Sequence, residues 1–185
     1  MKKIILLCCV ALCFLACKTE EKKNPIEQSV EPVKVETPKE LTVDFSFKTN
    51  KTDVFRIMTN NIEVDDLQKM NIQVFETVDP TTNYESIIAK FPKDIISNSV
   101  FVSLGHKEVK SVDVNSVTIT YGDYSISANI NTLENYFVLN KFVELDKDAN
   151  VLKTKRVDGK HNPQLILRRK AINELKGVKV QKKQK

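Results

Sequence analysis

The sequence predicts an all-β fold, an antiparallel β-sandwich or jelly-roll-like domain, and three observations carry that expectation. First, "LTVDFSF" at 41–47 alternates Leu, Val, Phe and Phe against polar partners, the period-2 pattern of a half-buried strand. Second, short β-branched or aromatic runs recur at "VFRIMT" (54–59), "NIQVFETV" (71–78), "SVFVSL" (99–104), "SVTITY" (116–121), "YSISANI" (124–130), "NYFVLNKFVEL" (135–145) and "PQLILRR" (163–169). Asn, Asp, Gly and Pro clusters punctuate them, which favours a sandwich over alternating strand-helix units. Third, "VTITYGDYSISA" at 117–128 specifies a hairpin.

In that hairpin Gly122 suits the first position of a two-residue type II′ loop, with Asp123 second. The loop sets Tyr121 opposite Tyr124, Ile119 opposite Ile126 and Val117 opposite Ala128, with Thr118 and Thr120 facing Ser127 and Ser125. One face is apolar or aromatic and the other hydroxylated, so a one-residue slip would mix them and the register is pinned. The Tyr pair reads as core cover first and as a sugar platform second. "NYESIIAKF" (83–91) is expected to form a helical turn across a sheet end.

The chain opens differently. Lys2 and Lys3 precede an uncharged apolar stretch, residues 4–16, and Cys17 follows it directly. Thirteen residues make a helix of roughly 20 Å, short of the ~30 Å hydrocarbon core, so the stretch fits a secretory signal better than a membrane span. A small residue, Ala16, immediately before a cysteine resembles the lipobox of bacterial lipoproteins, with Phe14 and Leu15 in the two preceding places. The resemblance implies cleavage after residue 16 and lipid attachment, of the palmitate type, at Cys17. Cys13 is a weaker candidate, and Cys8 and Cys9 serve as small hydrophobes inside the run. Cys17-Lys18-Thr19-Glu20-Glu21 is similar to the lysine-then-acidic export signal of Bacteroidota-type surface lipoproteins. The implied location is the cell envelope, at the outer membrane of a diderm on its periplasmic or surface face.

Composition then divides the chain into a signal peptide (1–16), a lipid-anchored flexible linker (17–40), a β-sandwich domain (41–175) and a basic tail (176–185). The linker carries Pro25, Pro32 and Pro38 among Lys, Glu, Thr and Ser, too little apolar surface to offset chain entropy. All four cysteines lie at or before position 17. A mature chain therefore has no thiol for a disulfide, a thiolate nucleophile or a cysteine metal site.

Little in the domain declares chemistry. His106 and His161 sit in turn-rich contexts, "LGHKE" and "DGKHNP", and are expected to be solvated; neither has metal-ligand spacing, and no phosphate loop or nucleophile elbow occurs. Asp146, Asp148 and Asn150 open like a calcium loop, but Val151 and Val157 stand where Gly and Glu are required. A polar turn is the better reading. No cofactor, metal or enzymatic activity is expected.

Charge is the remaining signal. Residues 153–185 hold twelve Lys or Arg against Asp158 and Glu174, whereas residues 18–152 hold fifteen basic against twenty-two acidic. Arg156, Arg168 and Arg169 are candidate contacts for an anion or acidic glycan, and the lysine tail reads as a solvated end. The functional expectation is a non-catalytic, ligand-binding lipoprotein, with glycan as the ligand class and Tyr84, Tyr121, Tyr124 and Tyr136 standing in for the absent Trp. The alternative is a structural or assembly protein of the envelope that binds another protein or the cell wall. Nucleic acid is not an expected partner.

Overall fold

A computed structural model describes residues 39–60, 71–92 and 99–178. The signal peptide, Cys17, nearly all of the linker and the tail beyond residue 178 lie outside the described residues. The strands are β1 (Leu41–Thr49), β2 (Asp53–Asn60), β3 (Asn71–Val78), β4 (Glu85–Phe91), β5 (Ser99–Ser103), β6 (Ser111–Tyr121), β7 (Tyr124–Ala128), β8 (Phe137–Leu139), β9 (Val143–Asp146), β10 (Val151–Thr154) and β11 (Gln164–Leu167). Two short helices, α1 (Leu133–Tyr136) and α2 (Arg169–Leu175), complete the described elements.

The strands form two antiparallel sheets packed as a sandwich. In the first the order is β4-β1-β6-β10-β9, with β7 also paired to β6; in the second it is β3-β2-β5-β11-β8. Among the described strands, only β2–β3, β6–β7 and β9–β10 follow one another within one sheet, and the other connections cross between the sheets. The chain thus passes back and forth between the sheets, and the inner face of each supplies one side of a shared core.

β1 shows why the alternation matters. Leu41, Val43, Phe45 and Phe47 are fully buried, whereas Thr42, Asp44, Ser46 and Lys48 face outward. Phe45 and Phe47 stack with ring centroids 4.7 Å apart, and Phe47 lies 4.9 Å from Phe55 of the opposite sheet. The aromatic trio joins the sheets at the centre. Among the described residues every buried member of the core lies between Leu41 and Leu175, and the chain from Thr37 onward is one compact unit, so this part carries its own core.

The β6–β7 hairpin has the expected register, Tyr121↔Tyr124, Ile119↔Ile126 and Val117↔Ala128. Gly122 sits at φ +57° and Asp123 does not enter the left-handed region, as a type II′ turn requires. Tyr121 is buried and Tyr124 is not, so the pair is no exposed platform.

Four expectations are corrected. "NYESIIAKF" is strand, not helix: Ile87, Ala89 and Phe91 are buried, Ser86, Ile88 and Lys90 are exposed, and the run pairs along β1. "NYFVLNKFVEL" is no single strand, because Asn140 breaks it. Its Oδ1 accepts the N–H groups of Phe142 and Gln164 while its Nδ2 donates to Asn162 O, turning β8 in one sheet into β9 in the other. The run at 163–169 stops at Leu167, and α2 follows, burying Ala171, Ile172 and Leu175. Gly177 at φ +70° closes α2: its N–H reaches Glu174 O and the Val178 N–H reaches Asn173 O, the paired bonds of a Schellman end. The fourth correction concerns His161, described below.

The register is tested by two neighbouring substitutions on β6. Ile119→Lys places a charge on the buried face and is expected to cost several kcal/mol, enough to unfold the domain, whereas Thr120→Lys on the outer face is expected to change stability by about 0.5 kcal/mol or less in urea denaturation.

Candidate functional site

The most elaborate polar cluster is internal. Asp53 opens β2, and Lys110 immediately precedes β6; both side chains are fully buried, with Lys110 Nζ 2.6 Å from Asp53 Oδ2. Lys110 Nζ also donates to Leu104 O at 2.9 Å and lies 6.0 Å from the Phe55 ring centroid. Its backbone N–H donates to Thr154 Oγ1, and its carbonyl accepts from the Thr154 N–H. The pair thus ties β2 of one sheet to β6 and β10 of the other.

Around it the loop 104–110 wraps the carboxylate. His106 and Lys107 donate their N–H groups to Asp53 at 3.3 and 3.0 Å, and Val54 donates at 2.7 Å. Gly105, at φ +76°, passes so close that a Cβ there would stand 2.2 Å from Asp53 Cγ. Glycine is required twice over, for the dihedral and for the space. The carbonyls of the same loop are held from outside: Arg156 Nη2 donates to Lys107 O, and His161 Nδ1 bonds His106 O at 3.1 Å.

His161 is therefore buried rather than solvated, because its ring is drawn under the loop. Since a carbonyl can only accept, Nδ1 carries the proton and Nε2 is a bare acceptor, with no partner among the described residues. Burial pushes the imidazole below its ordinary 6.5; the His106 carbonyl opposes this, and the charges of Lys110 and Arg156 reinforce it. For Asp53, burial pushes the carboxyl up, but the Lys110 bond, the Val54 N–H, the Lys110 charge and the Lys107 N–H together hold it below 3.8. With every Asp53 contact spent on the fold, the cluster is a structural clamp.

The outer face of the first sheet offers a different arrangement. Strand pairing sets side chains in rows across β4, β1, β6 and β7: Ser86, Ser46 and Ser116; then Ile88, Asp44, Thr118 and Ser127; then Lys90, Thr42, Thr120 and Ser125. Asn115, the extra residue of a bulge opposite Ser46 and Phe47, donates to Ser46 Oγ. Thr118 and Ser127 share a hydroxyl bond at 3.0 Å. Asp44 stands among these hydroxyls with a shielded Oδ1 that has no partner among the described residues. At the margin, Lys48 Nζ lies 4.1 Å from the Tyr84 ring centroid and 3.4 Å from Asp113, which also accepts from the Tyr84 hydroxyl. The result is a polar platform of groups that both donate and accept, bordered by the exposed Tyr84 and Ile88.

The opposite outer face is apolar along one row. Met58, Phe101, Ile166 and Val138 are consecutive partners across β2, β5, β11 and β8, and the exposed Phe75 stands in the next row opposite Arg56.

The three candidate arginines are not gathered. Arg156 serves the loop 104–110, at the end of β11 where Gln164 pairs with Ser103, whereas Arg168 and Arg169 follow its other end. Arg168 Nε donates to Glu134 O, and Arg169 is exposed. The calcium-like stretch is a turn in which Asp146 accepts from the Asp148 and Ala149 N–H groups and pairs with Lys153. No group of three or more His, Cys, Asp or Glu placed to hold a metal occurs among the described residues. Cys17 lies outside them.

No family model matches the chain, and neither a curated protein nor a solved structure matches it.

The clamp is asymmetric, and that can be measured. Asp53→Leu strands the buried Lys110 and three N–H groups and is expected to cost at least about 3–5 kcal/mol, whereas Lys110→Met leaves Asp53 with those donors and is expected to cost less. Acidification should weaken the fold in two steps. A depressed His161 loses stability as pH falls below 6.5, because the unfolded chain takes up the proton first; a depressed Asp53 does the same below 3.8. Melting temperature against pH should show both, and His161→Gln should abolish only the upper step.

Proposed function

We propose that this chain is a lipid-anchored cell-envelope lipoprotein, attached through Cys17, whose sandwich is a non-catalytic ligand-binding domain with glycan as its ligand. The observation that carries the reading is the hydroxylated platform centred on Asp44. An ordinary solvent face of so charged a chain would display Lys and Glu, as other surfaces here do; this one displays Ser and Thr in register. Hydroxyls that donate and accept match the hydroxyls of a sugar chain, the carboxylate adds a pure acceptor, and Tyr84 adds an aromatic edge. An extended sheet face suits a chain better than a small molecule.

A second reading has its own support. The apolar row on the other face, with Phe75 60% exposed and Val138 40% exposed, fits an assembly protein that docks another envelope protein there.

Both are tested on residues 37–185 by glycan array and by pull-down from envelope extract. Asp44→Ala is expected to weaken glycan binding about tenfold, in line with loss of a charged hydrogen bond, with melting temperature little changed. If no glycan binds and Phe75→Lys with Val138→Lys removes a captured protein instead, the assembly reading prevails. Separately, Cys17→Ala is expected to abolish labelling by a palmitate analogue; undiminished labelling would remove the anchor.

A further inference from the structure

Asp44 receives no hydrogen bond from the hydroxyls that surround it. Its neighbours on the outer face are Thr118 across on β6, Ile88 across on β4, and Ser46 and Thr42 along β1. Each of those hydroxyls is engaged elsewhere. Thr118 Oγ1 shares its bond with Ser127 Oγ at 3.0 Å, Ser46 Oγ accepts from Asn115 at 3.3 Å, and Thr42 Oγ1 donates to Glu40 at 3.5 Å. Ile88 has no donor to give. The residue is half-buried and its Oδ1 is closed off from solvent without a partner among the described residues, so a donor brought from outside improves its position.

Charge decides which donor fits. Outward on β1, β4, β6 and β7 the charged residues are Asp44, Lys48, Lys90 and Asp113. Lys48 and Asp113 pair with each other at 3.4 Å, and Glu40 borders the face beside Thr42. Asp44 and Glu40 then stand against Lys90 alone, which lies one strand and one row from Asp44 and forms no ion pair with it. A uronate, sulfate or phosphate laid on this face would meet Asp44 as a like charge in a partly desolvated place, and such a repulsive contact is an effective way to reject a ligand. An ammonium would meet Lys48 and Lys90 to either side along the strands. A hydroxyl meets Asp44 simply as a donor.

The second fixed point is Tyr84. It directly precedes β4, in the row of Lys48 and Asp113, because Glu85 pairs with Phe47. Its hydroxyl donates to Asp113 Oδ2 at 3.0 Å and Lys48 Nζ lies over the ring at 4.1 Å from the centroid, so the ring is held at two points while the residue stays 46% exposed. An aromatic ring fixed in advance loses little freedom when a sugar packs its C–H face against it. Lys48 and Asp44 lie four residues apart on β1, about 13 Å at a strand's rise. No single sugar ring touches both ends of that distance.

We propose that the platform selects an uncharged oligosaccharide lying along β1, with Tyr84 stacking on one sugar and Asp44 accepting hydroxyls from another, and that Asp44 sets this selectivity. The proposal rests on the glycan reading above and adds to it the class of glycan and its direction on the sheet.

The test probes residues 37–185, the compact unit with its own core, on an array of uncharged, uronate, sulfated, phosphorylated and amine-bearing glycans of graded length. Uncharged glycans are expected to be the hits, with affinity rising until the chain spans both residues and with monosaccharides failing to compete. Because the contact makes no ion pair, affinity should change less than about twofold between about 0.05 M and about 0.5 M salt. Asp44→Asn keeps one acceptor and is expected to weaken binding about threefold, and Tyr84→Ala about tenfold, with melting temperatures close to that of the unaltered chain. Asp44→Lys is expected to lose the uncharged hits and gain uronates. Uronate or amine-bearing hits with the unaltered chain, hits indifferent to both Asp44→Asn and Tyr84→Ala, or monosaccharides bound as tightly as any oligosaccharide would each overturn the proposal while leaving a glycan ligand in place. An array with no hit at all would remove the glycan reading and the proposal with it.

Discussion

The carboxylate of Asp53 is the constraint around which one pole of this sandwich is arranged. Burying it without donors would be prohibitive, and three backbone N–H groups and the Lys110 ammonium surround it instead. That requirement shapes the loop 104–110, dictates glycine at position 105 and draws in His161 and Arg156 to occupy the loop's outward carbonyls. It also brings β2, β6 and β10 to fixed positions, since Lys110 is bonded to Thr154 through its backbone and to Asp53 through its side chain. The aromatic trio of Phe45, Phe47 and Phe55 then packs against a pole that is already closed. Hydrophobic burial supplies most of the stability, and the clamp bridges the two sheets at one end of it.

With the core and one pole committed in this way, the outer faces are left to differ. Period-2 alternation forces each strand to present its odd residues inward and its even residues outward or the reverse, so the outward residues are free of packing demands. On β1, β4, β6 and β7 they are mostly Ser and Thr around Asp44; on β2, β5, β8 and β11 they form an apolar row. Core packing dictates neither choice. Hydroxyls in register are the more demanding arrangement, since β1, β4 and the β6–β7 hairpin must converge on it from three separate parts of the chain.

Much of this was legible in the chain, in proportion to how local each interaction is. The β6–β7 register follows from a glycine turn and five residue pairs, all within twelve positions, and it matches pair for pair. β4 was obscured because Ile87 and Ile88 are adjacent and blur the alternation, although one is buried and the other exposed. α2 left a signal that strand reading overrode: Ala171, Ile172 and Leu175 share a helical face, and Gly177 follows at the usual stop position. The clamp left none. Asp53 and Lys110 are 57 residues apart, each is a charged residue beside a strand, and charged residues there are ordinarily solvated. Only the tertiary fold reveals that both are inside, and His161 was misplaced for the same reason.

The two poles of the sandwich then divide the labour. One is closed by an ion pair, a glycine and a shielded histidine, so its loop is fixed at both its N–H groups and its carbonyls and has little freedom to remodel around a ligand. The other is built from a tight hairpin, a short helix and chain ends, with its positive groups on the surface. A rigid pole and a charged pole at opposite ends of one β-sheet give the molecule a polarity that its modest net charge of +5 hides. Charge attracts a surface at a distance without specifying a structure, whereas hydroxyls on a sheet specify geometry without long-range attraction. The fold keeps the closed pole and the hydroxylated face on separate surfaces, so each can vary without disturbing the other.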